Sequence, residues 1–194
     1  MARRIQVMGS SGSGKSTVGL RLAAVLDLPH VELDALFFLP GWVQRTDEDF
    51  RDRIRRATEG DRWVVSGNQT RRVLDVVWPR AETIVWLDLP LRVTIPRVFL
   101  RSWRRWRTQE LLWGTNVERF WPQLALWDPE RSVVGYSIRS RHRFVTLMTA
   151  AMSDPRWAHI SFIRLTSQRE VDRFLGSVEA AADRPAAAEG EHAP

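Results

Sequence analysis

The chain has 194 residues and a formal net charge of +6, and 44% of its residues are apolar and 27% charged. These proportions are typical of a folded protein with one core, and they exclude a wholly disordered chain or a collagen. No run approaches the roughly 18 apolar residues that a membrane helix requires, and the lack of cysteine excludes disulfides. We therefore expect one domain over residues 1–178, a disordered tail over residues 179–194, a cytoplasmic location and no membrane partner.

The first predicted strand, residues 4–8, leads into a glycine-rich loop and then into a helix. The loop, GSSGSGKST, matches the phosphate-binding (Walker A) pattern G-x-x-x-x-G-K-S/T in full. Glycines let backbone N–H groups approach phosphate oxygens, and the helix N-terminus adds a positive dipole. Lys15, the one lysine among 29 basic residues, is expected to contact the β- and γ-phosphates, and Ser16 to bind Mg²⁺. The predicted ATP contacts of the loop are Gly9, Gly12, Ser13, Gly14, Lys15, Ser16 and Thr17.

The phosphate loop predicts a nucleotide-binding protein, and the rest of the chain narrows the class. A GTPase reads guanine with an N-K-x-D motif, which this chain cannot form because its one lysine lies in the phosphate loop. Motor ATPase modules are usually longer than this chain. A small kinase that transfers the γ-phosphoryl group of ATP to a bound acceptor fits the length best.

Strands and helices alternate through the remaining sequence, which predicts a parallel sheet with helices on both faces. Further strands are predicted over residues 30–33, 62–65, 83–87 and 160–165. The predicted helices begin with one over residues 47–59 and an Arg/Trp-rich helix opened by Pro90 or Pro96. Helical structure then continues to about Ala151, and Ser167 caps a last helix. Ligands bind at the carboxyl ends of such strands, where Gly9, Asp34, Gly67 and Asp88 fall. The predicted fold is an α/β P-loop kinase three-layer sandwich with a five-stranded parallel sheet.

Residues 34–72 are predicted to bind the phosphoryl acceptor. Asp34 follows the second strand, where it would accept the proton of an acceptor hydroxyl or hold Mg²⁺, unless it only caps a helix. Gly67 would allow close backbone approach and Asn68 would hydrogen bond the acceptor, unless the two form an ordinary turn. Arg71 would meet an anionic acceptor or would be a solvated surface charge. The other candidates for that contact are Arg51, Arg55 and Arg72.

Residues 97–145 are predicted to form a basic helical lid. Between residues 91 and 145 lie eleven arginines and only four carboxylates, an excess larger than the net charge of the whole chain. Arg97, Arg101 and Arg105 recur at every fourth residue and share one helical face. Such a density of like charge favours a polyphosphate ligand. Five tryptophans interleave with the arginines, and they indicate either a packed lid core or a surface on which bases stack.

The order of these motifs resembles an adenylate-kinase-like group often labelled "DNA topology modulation protein", from about residue 4 to residue 176. The segments that carry the resemblance are Gly9–Thr17, Leu33–Leu36, Pro40–Trp42, Trp63–Asn68, Val85–Pro90, the Arg-rich stretch through Glu110, Gly114–Asn116 and Glu170–Leu175. The layout is more distantly similar to shikimate and gluconate kinases.

The resemblance implies ATP and Mg²⁺ as cofactors and a small molecule as acceptor. It implies that Arg97 and Arg101 flank the adenine and the phosphates, and that Arg105 or a neighbouring lid arginine closes over the γ-phosphoryl group. It also implies that Ser167 borders the adenine, unless Ser167 only caps the last helix. The group usually has an aspartate where Ser66 stands, to help hold Mg²⁺, so Asp34 is the expected replacement.

Three alternatives to a small-molecule kinase remain open on the sequence. The basic lid also fits a nucleic-acid-binding protein in which ATP is regulatory, or a kinase that acts on a polynucleotide end. The serine at position 66 fits a nucleotide sensor without catalysis. ATP turnover that depends on one small acceptor would exclude all three. The sequence leaves the acceptor and the oligomeric state undetermined.

Overall fold

A computed structural model describes residues 2–68, 70–118, 120–121 and 132–183, with the side chains of residues 70 and 71 left out. The strands are β1 (Arg4–Gly9), β2 (His30–Glu32), β3 (Trp63–Ser66), β4 (Thr83–Leu87), β5 (Leu111–Leu112), β6 (Asn116–Val117) and β7 (Ser161–Leu165). The helices are α1 (Lys15–Leu26), α2 (Leu33–Phe37), α3 (Asp47–Ala57), α4 (Thr70–Val77), α5 (Leu91–Thr108), α6 (Val133–Met152) and α7 (Gln168–Ala182). Single 3-10 turns lie at Pro40–Trp42 and Pro155–Trp157.

A parallel five-stranded sheet in the order β2-β3-β1-β4-β7 forms the centre of the molecule. The first strand is central, because Ile5 aligns with Val64 on one side and with Thr83 on the other. Since every strand of this sheet runs the same way, all the carboxyl ends meet at one edge, where the phosphate loop also lies. The predicted sheet is confirmed.

Helices cover both faces of this sheet. On one face α1 and α7 pack against β1 and β4, with Leu22 and Leu175 in the shared core. On the other face α3, α4 and α6 pack together, with Ile54, Val77 and Met148 fully buried. The predicted layering is therefore confirmed. Within the described ranges, no helix is both long enough and apolar enough to traverse a lipid bilayer.

Two predicted boundaries are corrected by the structure, and the choice between Pro90 and Pro96 is decided. The second strand ends at Glu32, and residues 33–37 turn into α2, so that Asp34 lies in the first turn of a helix and not at a strand end. Pro90 precedes α5, whereas Pro96 lies inside it. The last helix continues to Ala182, inside the segment predicted to be a disordered tail, because alanine is the strongest helix former. Residues 184–194 lie outside the described part of the chain.

The lid is not wholly helical, which corrects the prediction for this region. Gln109 ends α5 with a φ of 51°, and a short antiparallel hairpin follows, in which Leu111 pairs with Val117. Its turn contains Trp113 at φ 51° and Gly114 at φ 76°. These left-handed backbone conformations interrupt a helix, and the helical pattern of the sequence gave no indication of them. Residues 119 and 122–131 of the predicted lid lie outside the description.

An aromatic cluster lies on the lid helix. Trp103 and Trp106 have ring centroids 5.4 Å apart, and each also contacts Phe120. Trp121 packs on Trp106 and Phe120. The prediction of a packed lid core holds for these rings, although Trp103 and Trp121 keep 42% and 61% of their surface exposed. Trp127 is among the residues that the structure does not describe.

Asp88, which directly follows β4, is the centre of a buried ion-pair group. Its carboxylate accepts hydrogen bonds from Arg141 at 3.1 Å and from Arg164 at 2.6 and 3.0 Å. Arg141 also donates to the carbonyl of Leu89 at 2.8 Å. The carboxylate therefore ties α6 to β4 and β7, which is a structural role.

We expect Asp88→Ala to lower the free energy of unfolding by about 3 kcal/mol, because Arg141 and Arg164 then lose the buried carboxylate that pairs with them. Urea denaturation of the variant measures this change. Asp75→Ala is the matched control, since Asp75 pairs with Arg51 on the exposed surface and its loss should cost less than about 1 kcal/mol. Equal losses in the two variants would contradict a structural role for Asp88.

Candidate active site

The phosphate loop is shaped for a bound anion. Gly12 and Gly14 have φ angles of 76° and 89°, in the left-handed region that favours glycine. A Cβ on Gly12 would lie 2.4 Å from the carbonyl oxygen of Thr94, so only glycine lets the loop lie this close to α5. Gly14 is the N-cap of α1 and supplies no side-chain cap, which leaves the N–H groups of the first turn to bind a ligand.

Several polar atoms around this loop are buried without a partner. The hydroxyls of Ser10 and Ser13 and the Nε of Arg101 are inaccessible to solvent, and within the described residues they make no hydrogen bond. Buried donors are normally hydrogen-bonded, so these three, around a loop of this shape, are available to a bound anion. Their chemistry fits the phosphates of a nucleotide.

Lys15 begins α1 and is partly buried. Burial lowers the pKa of its ammonium group below the ordinary lysine value, the charge of Asp34 opposes this shift, and the charge of Arg101 adds to it. Glu32 is also close enough to raise the pKa. The ammonium group thus lies among two carboxylates and a guanidinium beside the loop, where the sequence predicted the phosphate-binding lysine.

Glu32 is a site residue that the sequence analysis missed. Its Oε1 accepts a hydrogen bond from the hydroxyl of Ser16 at 2.9 Å, and its Oε2 accepts one from the indole N–H of Trp113 at 3.2 Å. The carboxylate therefore contacts the predicted Mg²⁺ ligand of the loop directly. The sequence signal for Glu32 was its position at the end of the second strand, but the predicted strand continued one residue further, to residue 33.

The lid hairpin is docked on the residues that follow β2. Trp42 donates its indole N–H to the carbonyl of Val117 at 2.9 Å, and its backbone N–H to the side chain of Asn116 at 2.9 Å. The ring of Trp113 stacks on Phe38, with centroids 6.0 Å apart and planes 10° apart, and packs edge-on against Trp42. The hairpin thus covers the region predicted to bind the acceptor.

Asp34 lies in the first turn of α2 and is partly buried. Its charge acts on both Lys15 and Arg101. The carboxylate therefore acts on the charge of Lys15 in the phosphate loop, although the strand ends two residues earlier. Because Asp34 lies in a helical turn, the alternative of a helix-capping role also agrees with the structure.

The three predicted lid arginines have different surroundings. Arg101 donates to the hydroxyl of Ser11 at 3.2 Å, and burial lowers the pKa of its guanidinium, which remains charged at neutral pH. Arg97 donates to Gln168 at 2.9 Å, so α5 contacts the loop predicted to border the adenine. Arg105 instead pairs with Glu118 at 3.2 Å and lies 3.4 Å from Glu110. Two of the three thus contact predicted ATP-binding segments.

The predicted acceptor residues after β3 contact the protein itself. A Cβ on Gly67 would lie 2.7 Å from the Cβ of Leu33, so this glycine allows α2 to approach β3. Asn68 accepts a hydrogen bond from the N–H of Gly9 at 2.9 Å and donates one to the carbonyl of Gly9. It therefore bridges the ends of β3 and β1 and fixes the start of the phosphate loop. Arg71 lies in α4, and its side chain is outside the description.

Ser66 and Ser167, which the sequence analysis singled out, are both hydrogen-bonded within the protein. Ser66 is fully buried, and its hydroxyl lies 3.0 Å from the Nε2 of His30, with which it is hydrogen-bonded. Ser167 is the N-cap of α7 and accepts a hydrogen bond from the N–H of Glu170 at 3.3 Å. The helix cap that the sequence offered as the alternative for Ser167 is therefore confirmed.

Comparison with known proteins identifies kinases among the relatives. No family model matches the chain. A shikimate kinase from Rhodococcus jostii (strain RHA1) is 28% identical over 149 residues, which cover 68% of this chain and 76% of the relative. The protein YqaC of Bacillus subtilis (strain 168), itself described as uncharacterized, is 24% identical over 152 residues, 73% of this chain and 79% of the relative.

Solved structures support the fold. A shikimate kinase from Bacteroides thetaiotaomicron superimposes with a TM-score of 0.51 at 16% identity, over 95% of this chain and all of the other. A shikimate kinase from Acinetobacter baumannii, solved in complex with shikimate, gives a TM-score of 0.50 at 16% identity, over 91% of this chain and 90% of the other. The expectation of an ATP-dependent kinase agrees with these relatives. The chain has the α/β P-loop kinase fold of the shikimate kinase structures.

Proposed function

We propose that this protein is an ATP- and Mg²⁺-dependent kinase that transfers a phosphoryl group to a small acceptor, within the adenylate-kinase-like group that its motifs resemble. One observation carries the proposal: Glu32 contacts Ser16 and Arg101 contacts Ser11 of a loop that is shaped for phosphate, and the charges of Asp34, Arg101 and Glu32 act on Lys15. Phosphoryl transfer is catalysed mainly by positioning and by electrostatic stabilisation, and these four charged side chains supply both signs of charge that it requires. The kinases among the relatives support the same conclusion.

Ser16 and Glu32 fit a magnesium ion. Mg²⁺ in kinases binds one or two protein oxygens and takes its remaining ligands from phosphate oxygens and water. Among the described residues no group of three or more His, Asp or Glu side chains converges, which fits a metal held jointly with the nucleotide. When bound, the ion neutralises charge on the β- and γ-oxygens. The hydroxyl of Ser16 and the Oε1 of Glu32, now 2.9 Å apart, are the two oxygens that would hold it.

The chemistry follows from the remaining charges. The acceptor oxygen forms a bond to the γ-phosphorus as the bond between that phosphorus and the β,γ-bridging oxygen breaks, and ADP leaves. Asp34 takes the proton of the acceptor hydroxyl. Lys15 and Arg101 stabilise the charge that develops on the transferred group, and the docked hairpin keeps water away from it.

The test is acceptor-dependent release of ADP from ATP in the presence of Mg²⁺. We expect Glu32→Gln to raise the Mg²⁺ concentration for half-maximal activity by about 10–100-fold. Calorimetry should show the same loss in Mg²⁺-dependent ADP binding, with metal-free binding unchanged. Glu48→Gln, on the exposed first turn of α3, is the matched control. A protein that binds no Mg·ATP would refute the proposal.

A further inference from the structure

The acceptor side of the site carries little of the positive charge found in the lid. Residues 34–72, the predicted acceptor region, contain seven carboxylates and eight arginines, a net charge of +1, against +7 over residues 91–145. Since α3 leads into β3 and α4 leaves it, the first turns of both helices lie at the carboxyl edge of the sheet. Asp47, Glu48 and Asp49 form the first turn of α3. A negatively charged acceptor would therefore find little net positive charge in this region.

The arginines at this edge are bound to aspartates. Arg72 pairs with Asp47 at 2.6 Å, and Arg51 pairs with Asp75 at 2.8 Å. Asp49 accepts from both Arg45 at 2.7 Å and Arg53 at 2.9 Å. Among the described side chains of the first two turns of α3 and the start of α4, every guanidinium therefore has a carboxylate partner. Among these described side chains, an acceptor carboxylate or phosphate finds no unpaired guanidinium, so Arg51 and Arg72 are ion-paired surface charges, the alternative that the sequence left open.

The wall beside the reacting groups is aromatic. Phe38, Trp42 and Trp113 contact one another with ring centroids 5.3 to 6.0 Å apart. The indole of Trp113 reaches Glu32, and Glu32 reaches Ser16 of the phosphate loop. A molecule placed next to Glu32 and Asp34 thus meets flat apolar rings on one side and oxygens that accept hydrogen bonds on the other.

We propose that the acceptor is an uncharged compound that carries both a hydroxyl group and a planar ring. This inference rests on the kinase activity proposed above. The ring stacks on Phe38 and Trp113, and the hydroxyl donates to Asp34, which takes its proton as the oxygen forms its bond to the γ-phosphorus and ADP leaves. Asp34 disfavours a carboxylate or phosphate at the same position, because like charges repel in a partly buried site.

The experiment compares acceptors that differ by one 5′-phosphate group, which adds negative charge and replaces the 5′-hydroxyl. Adenosine and AMP form one pair, thymidine and its 5′-monophosphate a second, and shikimate serves as an anionic acceptor without an aromatic ring. We expect kcat/KM for a neutral member to exceed that of its charged partner by at least about tenfold, the factor that one unfavourable contact of 1.4 kcal/mol produces. A charged member that is used equally well or better overturns the inference, as does a lack of turnover with every neutral ring compound.

Two variants test the aromatic wall separately. Phe38→Leu should raise KM for the neutral acceptor by about 3–10-fold with little change in kcat, since it removes stacking but retains apolar volume. Trp121→Leu, in the lid cluster, is the control and should change neither constant. Arg71→Gln should leave the neutral acceptor unaffected; a variant that selectively loses a preferred anionic acceptor would overturn the inference. Calorimetric binding of Mg·ATP without any acceptor distinguishes failure of the acceptor class from failure of the kinase assignment.

Discussion

Lys15→Met is expected to lower the rate of phosphoryl transfer by about 10²–10³-fold, the range found when one preorganised charge-stabilising donor is removed. Lys15 is the residue of the phosphate loop whose charge can follow the γ-phosphoryl group, and it lies close to Asp34, Glu32 and Arg101. Methionine keeps the length and apolar stem of the side chain, so the circular dichroism spectrum and the urea midpoint should stay close to those of the parent protein. Release of ADP at saturating acceptor measures the loss.

The same variant has a second readout in proton uptake. Burial lowers the pKa of Lys15 in the nucleotide-free protein, whereas a bound triphosphate favours the charged ammonium and raises it again. Between the lowered pKa and the ordinary value of 10.5, binding of ATP should therefore take up a proton, and its affinity should fall as the pH rises. Calorimetry in two buffers of different ionisation enthalpy detects this uptake, which Lys15→Met should abolish. Normal transfer by Lys15→Met would overturn its assignment.

Arg101→Met should lower the transfer rate by about 10³-fold, at the lower end of what an arginine supplies in phosphoryl transfer. Arg101 lies against Ser11 of the loop, its Nε is buried without a partner, and the charges of Asp34 and Glu32 both act on it. The loss should fall mainly on kcat, because this cation is needed most when charge develops on the transferred group. Single-turnover kinetics with bound ATP separates this effect from a change in affinity.

Arg105→Met is the matched control for that variant. It removes a guanidinium one helical turn further along, but Arg105 is held by Glu118 and Glu110. We expect its rate to fall by less than tenfold and its stability to decrease, since Glu118 then loses an ion-pair partner in a buried position. A larger rate loss for Arg105→Met than for Arg101→Met would show that the ion pairs rearrange and that Arg105 is the arginine that contacts the phosphoryl group.

The sequence was sufficient for features that depend on local pattern. Residues 9–17 predict a phosphate loop because glycine spacing and one lysine define it, and the strand periods predict the sheet. The role of Glu32 could not be predicted, because it depends on where β2 ends. That end depends in turn on the close approach of Leu33 to Gly67. The hairpin at residues 111–117 could not be predicted either, since its backbone conformation at Trp113 is uncommon for a tryptophan.

Pairing between distant residues was also beyond the sequence. Asn68 follows a strand and carries an amide suited to a substrate, yet its partner is the backbone of Gly9, 59 residues earlier. The arginines near the acceptor edge suggested an anionic acceptor or a charged surface, and the structure pairs Arg51 with Asp75 and Arg72 with Asp47. Charge counts along a sequence give the total in a region, whereas the charge available to a ligand depends on which groups are already paired.

A single carboxylate links the nucleotide loop to the lid hairpin. The two oxygens of Glu32 hold Ser16 on one side and the indole of Trp113 on the other. A metal bound at Ser16 would change the hydrogen bond between Trp113 and Glu32. By thermodynamic linkage, a displaced Trp113 would change the affinity for the metal by the same factor. On the proposed assignment of Ser16 and Glu32 as metal ligands, binding of the metal and binding of the acceptor are thermodynamically coupled through this one side chain.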